Sequence, residues 1–494
     1  MNGETGNSLA TVLVIGGSDS AGMAGIQMDL SVIRALGGHG ASVITATTAQ
    51  NSGEFISINP VPAATMADQL AACRTLAPRV VKIGLLAGVE QVRLCADLLR
   101  ETGLPAVLDP VLASSTGAAF ADRETRVAMR LELMPLCTLV TPNRRELEQL
   151  TALALDEPAD VEAAARALQR AGVPALLVKG GHWPGPQSAD YALLPQQRFW
   201  LRNKRLDTAH ARGTGCALAS AVAAALAMGH RLDDALVIGK MTVNQGLRQG
   251  YGIAGQPGPL RITGFPEAPE DLPELTGDPV APVRPAFPDC GPQPLGLYPV
   301  VDRAEWLARL LPQGITTIQL RIKDLEGAAL AAEVERGIEL ARRHGARLFV
   351  NDHWRLAIEK GAYGVHLGHG DLDSADIDAI HRAGLRLGIS THCHREVARA
   401  HACRPSYMAC GPVFATTTKV MPWTPHGVGG LGYWRRALAD YPLVAIGGIN
   451  RERLLPVAAT GASGIAMITA ITEAADPESM TRTFGIILGR AADG

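Results

Sequence analysis

The segment Arg212 to Cys216, RGTGC, has the residue types of an anion-binding turn, and ALASAVAAALAMG follows it. Alanine is the strongest helix former, so a helix is predicted to begin at this turn. The first amides of a helix have no partner within it, and glycines let a ligand approach them closely. The helix dipole is expected to stabilise a thiolate at Cys216. The turn therefore predicts either a phosphate cradle or a structural cysteine beside a closely packed helix.

A second set of chemical groups lies in the last 200 residues, each just after an apolar run. Arg321, Lys323 and Lys419 supply positive charge, and Asp352 and Asp371 supply the hard oxygen ligands that Mg²⁺ prefers. The turns at 447–448 and 468–469 follow the last two strands, where barrels usually bind phosphate. Together these groups predict one metal and two anion sites, for a substrate with a diphosphate and another with a phosphate. An aspartate alone is often a helix cap, and His366 alone is more often a core residue.

The elements that position the first set alternate between strand and helix. Apolar runs at 11–15, 41–46, 80–86, 106–108, 139–140 and 175–178 each lead into polar groups. This alternation predicts a parallel sheet covered by helices, with ligands at the carboxyl ends of the strands. The glycine-rich turn Gly16 to Gly25 follows the first strand and is either a ligand site or only a turn.

The elements that position the second set are more regular. Strands are predicted at 295–301, 316–321, 347–350, 364–368, 386–390, 406–413, 443–447 and 464–468, with helices between most of them. Eight strand–helix units in about 200 residues predict a (β/α)₈ barrel with its chemistry at the carboxyl ends of the strands.

Between the two sets, residues 265–294 are dense in proline, which fixes φ and removes a backbone donor. This stretch predicts a semi-rigid tether between two domains. The predicted boundaries are 1–264 for the first domain, 265–294 for the tether and 295–494 for the second domain.

Composition excludes several functional classes. The net charge of −2 gives no sign of a nucleic-acid partner, and no apolar run is long enough for a membrane span. The first ten residues lack a basic segment followed by an apolar one, so no export signal is expected. The eight cysteines form no CxxC pair, which is typical of the reducing cytoplasm. His392, Cys393, His394, His401 and Cys403 match no zinc spacing, so no transition-metal site is expected there.

The first half resembles a known family over Thr11 to about Gly252. GGSDSAGMAGIQMD, VKIG, LDPV, TPNRREL, LVKGGH, SADY and RGTGCALASAVAA occur in that order. They are similar to hydroxymethylpyrimidine phosphate kinases of thiamine biosynthesis, members of the ribokinase-like superfamily. The resemblance implies an αβα sandwich that uses ATP and Mg²⁺ to phosphorylate 4-amino-5-hydroxymethyl-2-methylpyrimidine and then its monophosphate.

That resemblance also implies residue roles. Asp29 and Gln50 would hold the aminopyrimidine, with Gly17 and Leu85 lining its pocket. Asp109 and Glu146 would organise Mg²⁺, and Lys179 with Thr214 would bind ATP. The catalytic hole for the transferring phosphoryl group would be formed by the amides of Gly213, Gly215 and Cys216. Met23 and Arg212 stand where the family usually has glycine and histidine.

The second half, Leu295 to about Pro477, resembles thiamine phosphate synthases through LGLYPVVD, TIQLRIKD, LFVNDHWRLAI, YGVHLGHGDL, LGISTH, GPVFATTTK and VAIGGI. This implies a TIM barrel that joins hydroxymethylpyrimidine diphosphate to thiazole phosphate. The resemblance implies that Gln319 and His366 bind the pyrimidine and that Asp352 and Asp371 bind Mg²⁺. The diphosphate would be bound by Arg321, Lys323, Asn351, Ser390 and the catalytic Lys419. The thiazole phosphate would be bound by Thr416, Thr418, Gly448, Ile468 and Thr469. Ala415 and His369-Gly370 depart from the family pattern.

The two resemblances name consecutive steps, so the sequence predicts a bifunctional transferase with small-molecule substrates, with a homo-oligomer possible through the kinase half. Two alternatives stay open. In one, the first half is a pyridoxal kinase-like enzyme. In the other, the barrel is non-catalytic or isomerises thiazole. An interaction scaffold has no support beyond the tether.

Overall fold

Two units divide the chain in the computed structural model, which describes residues 9–113, 120–181, 183, 185–416 and 423–492. The first unit holds the residues up to Pro266 together with Asp271–Ala281, and the second holds Glu267–Glu270 and the residues from Pro282 onward. Each unit has a hydrophobic core of its own. Within the described ranges, every helix is too short or too polar to cross a lipid bilayer.

The first unit is built on a ten-stranded sheet whose central strands are parallel, in the order β10-β9-β8-β7-β6-β5-β4-β1-β2-β3. Its central strands are mostly apolar because both faces are covered, as the fully buried β5 shows. The strands are β1 Thr11–Asp19, β2 His39–Gln50, β3 Phe55–Pro60, β4 Val80–Ile83, β5 Ala106–Leu108, β6 Leu139–Val140, β7 Leu176–Val178, β8 Gln187–Leu193, β9 Arg198–Lys204 and β10 Glu274–Thr276.

Helices of the first unit follow most of the parallel strands, as the alternating pattern predicted. They are α1 Gly25–Ala35, α2 Ala63–Arg74, α3 Val89–Thr102, α4 Arg123–Ala128, α5 Arg144–Thr151, α6 Pro158–Arg170, α7 Thr214–Ala227 and α8 Leu232–Arg248. The sheet is not entirely parallel, however. β2 pairs with β3, and β7 to β10 pair with one another, in antiparallel fashion. Strands β3 and β8 to β10 were not predicted.

The second unit is a closed barrel of parallel strands, which confirms the predicted (β/α)₈ fold. Its strands are β11 Gly296–Val301, β12 Thr317–Leu320, β13 Arg347–Asn351, β14 Gly364–Leu367, β15 Arg386–Thr391, β16 Tyr407–Cys410, β17 Leu443–Ile446 and β18 Gly464–Met467. Its helices are α9 Ala304–Leu310, α10 Gly327–Arg343, α11 Trp354–Glu359, α12 Ile377–Arg382, α13 His394–Cys403, α14 Gly427–Ala437, α15 Arg451–Ala458, α16 Thr469–Thr472 and α17 Pro477–Ala492.

The proline-rich segment is attached to the two units along its length. Within the first unit, β10 extends the sheet beside β9, and Arg202 makes an ion pair with Glu274. Within the second unit, Arg347 donates to the carbonyls of Gln293 and Pro294 at 2.8 and 2.6 Å. The segment therefore has specific anchors, and its division at 264 and 294 stays a prediction.

Candidate active sites

A cavity of about 1010 Å³ opens where the central parallel strands of the first unit end. It brings together every residue for which the sequence predicted a role in that half. These are Gly17, Asp29, Gln50, Leu85, Asp109, Glu146, Lys179, Gly213, Thr214, Gly215 and Cys216. The rule that ligands bind at the carboxyl ends of parallel strands explains why residues so distant in sequence share one wall.

Gly213 is required by the turn that begins α7. Its φ is +82°, in the left-handed region that favours glycine, and an added Cβ would lie 2.4 Å from the Met23 carbonyl oxygen. A Cβ on Gly215 would lie 3.2 Å from Asp109 Oδ2 and 3.3 Å from Lys179 Nζ. The glycines therefore leave room at the start of an alanine-rich helix, directly beside an ammonium and a carboxylate.

The charges beside this turn form a partly buried network. Lys179 Nζ lies 2.5 Å from Asp109 Oδ1 and 3.7 Å from Glu146 Oε2. Burial would lower the pKa of Lys179, but the two carboxylates outweigh it and the pKa is raised. Burial raises the pKa of Glu146, with Lys179 opposing and Asp109 adding to the shift. Lys179 therefore remains an ammonium, while the carboxylates repel each other and are suited to share a cation.

The expected thiolate at Cys216 is wrong. The pKa of Cys216 is raised to about 12, first by burial and then by the negative charges of Asp29 and Asp109, while Lys82 opposes the shift. Loss of hydration outweighs the dipole of α7 here. Cys216 is therefore a neutral thiol near pH 7, and its backbone amide is the group that an anion can use.

This protonation state predicts a very slow alkylation of Cys216. In the native chain at pH 8, its reaction with iodoacetamide should be about 10³-fold slower than that of an ordinary cysteine, because the thiolate fraction falls with the raised pKa. Peptide mass spectrometry after timed alkylation measures this rate. Unfolding in urea should restore ordinary reactivity, and rapid native alkylation of Cys216 would contradict the assignment.

Asp29 lies at the base of the cavity and is completely buried. Its carboxylate pairs with Lys82 Nζ at 2.7 Å and accepts from Ser220 Oγ at 2.8 Å. Each of these bonds uses one carboxylate oxygen, which can accept a further hydrogen bond, so the predicted contact between Asp29 and the pyrimidine stays a prediction. Sequence analysis predicted no role for Lys82. The lysine within the apolar run VVKIGLL could have indicated a buried ion pair, because a buried charge needs a partner.

The two departures from the family pattern also lie at this cavity. Met23 is buried in its wall, and Arg212 donates to the Ser52 carbonyl. Arg212 thus joins the turn before α7 to the loop after β2.

A second cavity of about 810 Å³ lies at the carboxyl ends of the barrel strands. It is lined by most of the residues predicted for that half: Gln319, Arg321, Lys323, Asn351, Asp352, His366, Asp371, Ser390, Thr416, Gly448, Ile468 and Thr469. Thr418 and Lys419 lie outside the described residues. Gly448 has a φ of +63°, and a Cβ there would lie 2.4 Å from the Ala415 carbonyl oxygen, so this turn requires glycine.

Asp352 and Asp371 form a carboxylate pair at one side of this cavity. Burial raises the pKa of Asp371, and Asp352 raises it further. Asp352 contacts Lys323 and has a φ of +63°, a conformation that is costly for a residue with a side chain. Next to it, Asn351 Oδ1 is buried and has no partner among the described residues. These oxygens fit a hard cation such as Mg²⁺.

A chain of hydrogen bonds crosses the interior of the barrel. Tyr298 OH lies 2.8 Å from Tyr407 OH, which lies 2.7 Å from His366 Nδ1. His366 Nε2 lies 2.8 Å from Ser390 Oγ, and Gln319 donates to Tyr298 at 3.5 Å. This chain fixes the His366 ring and the Ser390 hydroxyl at the cavity floor. Sequence analysis missed both tyrosines, because apolar strands such as LGLYPVV make tyrosine an ordinary core residue.

His366 gives the barrel a pH-dependent stability. Burial lowers its pKa from 6.5 to about 4, so the unfolded chain binds a proton between these values that the folded chain does not. This contribution is complete above pH 6.5 and is lost as the pH falls toward 4. Between pH 7 and pH 5 the loss should be about 2 kcal/mol.

Thermal unfolding of the full chain at several pH values measures this effect. The His366→Gln variant retains a side chain that forms hydrogen bonds but does not titrate, so it should lose this part of the slope. An equal slope in both proteins would contradict a neutral, buried His366.

Two family models match the chain. Residues 19–261 match the model described as Phosphomethylpyrimidine kinase, and residues 297–471 match the model described as Thiamine monophosphate synthase. The thiamine-phosphate synthase of Serratia proteamaculans (strain 568) is 54% identical over 190 residues, which are 38% of this chain and 90% of that protein.

Solved structures resemble the first unit. The pyridoxal kinase from Staphylococcus aureus in complex with ADP has a TM-score of 0.50 and 25% identity, and the match covers 55% of this chain and 98% of that one. The phosphomethylpyrimidine kinase from Clostridium difficile 630 has a TM-score of 0.43 and 30% identity, with coverage of 47% and 97%. The S. aureus likeness confirms the ribokinase-like fold predicted for the first half.

Proposed function

The chain belongs to the thiamine-phosphate synthase family and joins a domain of that family to a phosphomethylpyrimidine kinase domain, which makes it a bifunctional transferase of thiamine biosynthesis, and on this premise we propose its two reactions and the residues that carry them. The first unit phosphorylates 4-amino-5-hydroxymethyl-2-methylpyrimidine and its monophosphate with ATP. The second joins the resulting diphosphate to thiazole phosphate and releases diphosphate.

In the kinase reaction, the amides of Gly213, Gly215 and Cys216 donate to the oxygens of the transferring phosphoryl group. Lys179 lies 2.5 Å from Asp109 and brings a fixed positive charge to the same turn. Phosphoryl transfer depends mainly on positioning and charge stabilisation, so a neutral Cys216 is compatible with it. Asp109 and Glu146 would hold Mg²⁺, which neutralises phosphate charge when bound.

In the synthase reaction, Arg321 and Lys323 hold the diphosphate while its bond to the pyrimidine methylene breaks, and Lys419 is assigned the same role from the sequence. Their charges stabilise the negative charge that develops on the leaving group. The aminopyrimidine bears the resulting cation, and the thiazole nitrogen attacks it. The Gln319 and His366 side chains hold the pyrimidine ring. Asp352, Asp371 and the unpartnered Asn351 oxygen would hold Mg²⁺, which adds positive charge at the diphosphate.

The observation that carries this proposal is the pairing of cations with carboxylates in both cavities, each beside backbone turns that only glycine fits. Both cavities thus suit phosphate groups with a divalent ion, and the product of one reaction is the substrate of the other. A homo-oligomer formed through the first unit, the lack of nucleic-acid and membrane partners, and a cytoplasmic location stay predictions.

A coupled assay tests the proposal. The purified full chain should form thiamine phosphate from the pyrimidine alcohol, ATP, Mg²⁺ and thiazole phosphate. Omission of the alcohol should be rescued by the pyrimidine diphosphate, because the second reaction needs only the product of the first. Failure of this rescue would exclude a catalytic synthase barrel.

A pyridoxal kinase activity is the alternative for the first unit, and the likeness to the S. aureus enzyme favours testing it. Phosphorylation of pyridoxal and of the hydroxymethylpyrimidine should be compared at equal concentrations. We expect a higher kcat/KM for the pyrimidine, and the reverse order would overturn the proposed substrate.

A further inference from the structure

Two histidines and one glutamate meet at the wall of the barrel cavity, beside the carboxylate pair. His369 follows β14, His392 follows β15, and Glu396 lies in the first turn of α13. One nitrogen of each histidine and one carboxylate oxygen of the glutamate all lie within 4.8 Å of one another, which is close enough for them to bind one metal ion. His369 and His392 line the cavity, and Glu396 is buried behind them.

The distances within this cluster are close to those between the ligands of one metal ion, with a hydrogen bond between two of the groups. His369 Nε2 lies 3.4 Å from Glu396 Oε1, and His392 Nδ1 lies 2.7 Å from Glu396 Oε2. Ligands about 2.0–2.1 Å from one tetrahedral zinc ion lie about 3.3 Å apart, a value between these two distances. An ion would replace the proton between His392 and Glu396 and widen that contact by a few tenths of an ångström.

Aromatic packing holds the two imidazole rings in place. Trp423 stacks on His392 with ring centroids 4.0 Å apart and an interplanar angle of 13°, and it meets His369 edge-on at 5.6 Å. The neighbouring Arg399 is paired with Asp373 at 2.5 Å, and its other nitrogen donates to the His369 carbonyl at 3.1 Å. Its positive charge is therefore partly compensated, and its contacts fix the His369 backbone.

We propose that His369, His392 and Glu396 bind a divalent transition-metal cation of the zinc class. Two imidazole nitrogens and one carboxylate oxygen suit such an ion, whereas the oxygen-only pair Asp352 and Asp371 suits Mg²⁺. Three protein ligands leave a fourth position open. Because the histidines line the cavity, an anionic ligand or water there can take that position.

Cobalt is the probe, because its visible absorption is intense in four- or five-coordinate sites and weak in octahedral oxygen sites. The full chain is titrated with Co²⁺ in excess Mg²⁺, which occupies the carboxylate pair. We expect one equivalent of Co²⁺ to give an intense band, and Zn²⁺ to abolish it. The His369→Gln variant should bind Co²⁺ at least about 10²-fold more weakly.

His381→Gln is the matched control, because His381 also lies in the barrel unit but its ring contacts the Ala286 carbonyl and Phe287, away from the cluster. It should keep the band. The His369→Cys variant should keep the site and add a thiolate-to-cobalt absorption in the near ultraviolet, which also tests the site if His369→Gln is unstable. A wild-type chain with no intense band, or an unchanged band in His369→Gln, would show a hydrogen-bonded cap without metal affinity and overturn the proposal.

Discussion

The Lys179→Met variant should lose kinase activity by about 10²–10³-fold while its synthase activity stays at the wild-type level. Methionine keeps most of the length of the side chain but removes the charge that lies 2.5 Å from Asp109 and 3.3 Å from the position of a Cβ on Gly215. An ammonium at this turn acts most strongly on the transferring phosphoryl group. The loss should therefore appear mainly in kcat, with a smaller change in KM for the pyrimidine.

Each reaction serves as the control for the other in this experiment. The synthase rate, measured with pyrimidine diphosphate and thiazole phosphate, reports the amount of intact chain, and thermal unfolding followed by circular dichroism reports whether the first unit remains folded. Lys204→Met is the matched control within the first unit, because Lys204 is exposed at the end of β9. A Lys179→Met kinase rate within tenfold of wild type would contradict the role proposed for this lysine.

The sequence predicted that both sets of residues lie at the carboxyl ends of parallel strands, and most of them line one cavity in each unit. Arg321, Asp352 and His366 could be assigned to one rim because the strand–helix period of the barrel is regular and its strands end in polar groups. The first sheet was predicted less completely. Its antiparallel strands β8 and β9 carry mixed sequences such as QSADYAL, in which neither face is uniformly apolar.

Contacts between distant residues could not be predicted from one sequence. Lys82 and Asp29 are 53 residues apart, and His366 and Tyr407 are 41 apart, yet each pair shares a buried hydrogen bond. Sequence spacing also gave no sign of the cluster of His369 and Glu396, because its members come from two turns that only the closed barrel brings together. The prediction of a thiolate at Cys216 was wrong for a related reason, because the burial that raises its pKa depends on the packing of the whole sheet.

The second large effect is expected in the barrel, where Asp371→Asn should lower synthase kcat/KM by at least about 10²-fold and raise the Mg²⁺ concentration needed for half-maximal rate. An asparagine oxygen can still accept from the Gly368 amide, a bond of 2.9 Å, so the turn after β14 should be retained. What is lost is one negative charge of the carboxylate pair, whose mutual repulsion favours a shared cation.

Asp373→Asn is the matched control for this charge, because Asp373 lies in the same short turn but is exposed and pairs with Arg399. It should keep the wild-type rate and Mg²⁺ dependence, and both variants should keep kinase activity. If Asp371→Asn and Asp373→Asn gave the same Mg²⁺ dependence, the cation would not be held by Asp371. Equal kinase rates in both would show equal amounts of intact chain, and equal unfolding temperatures of the two variants would exclude unfolding of the barrel, because the first unit has its own core and its own cavity.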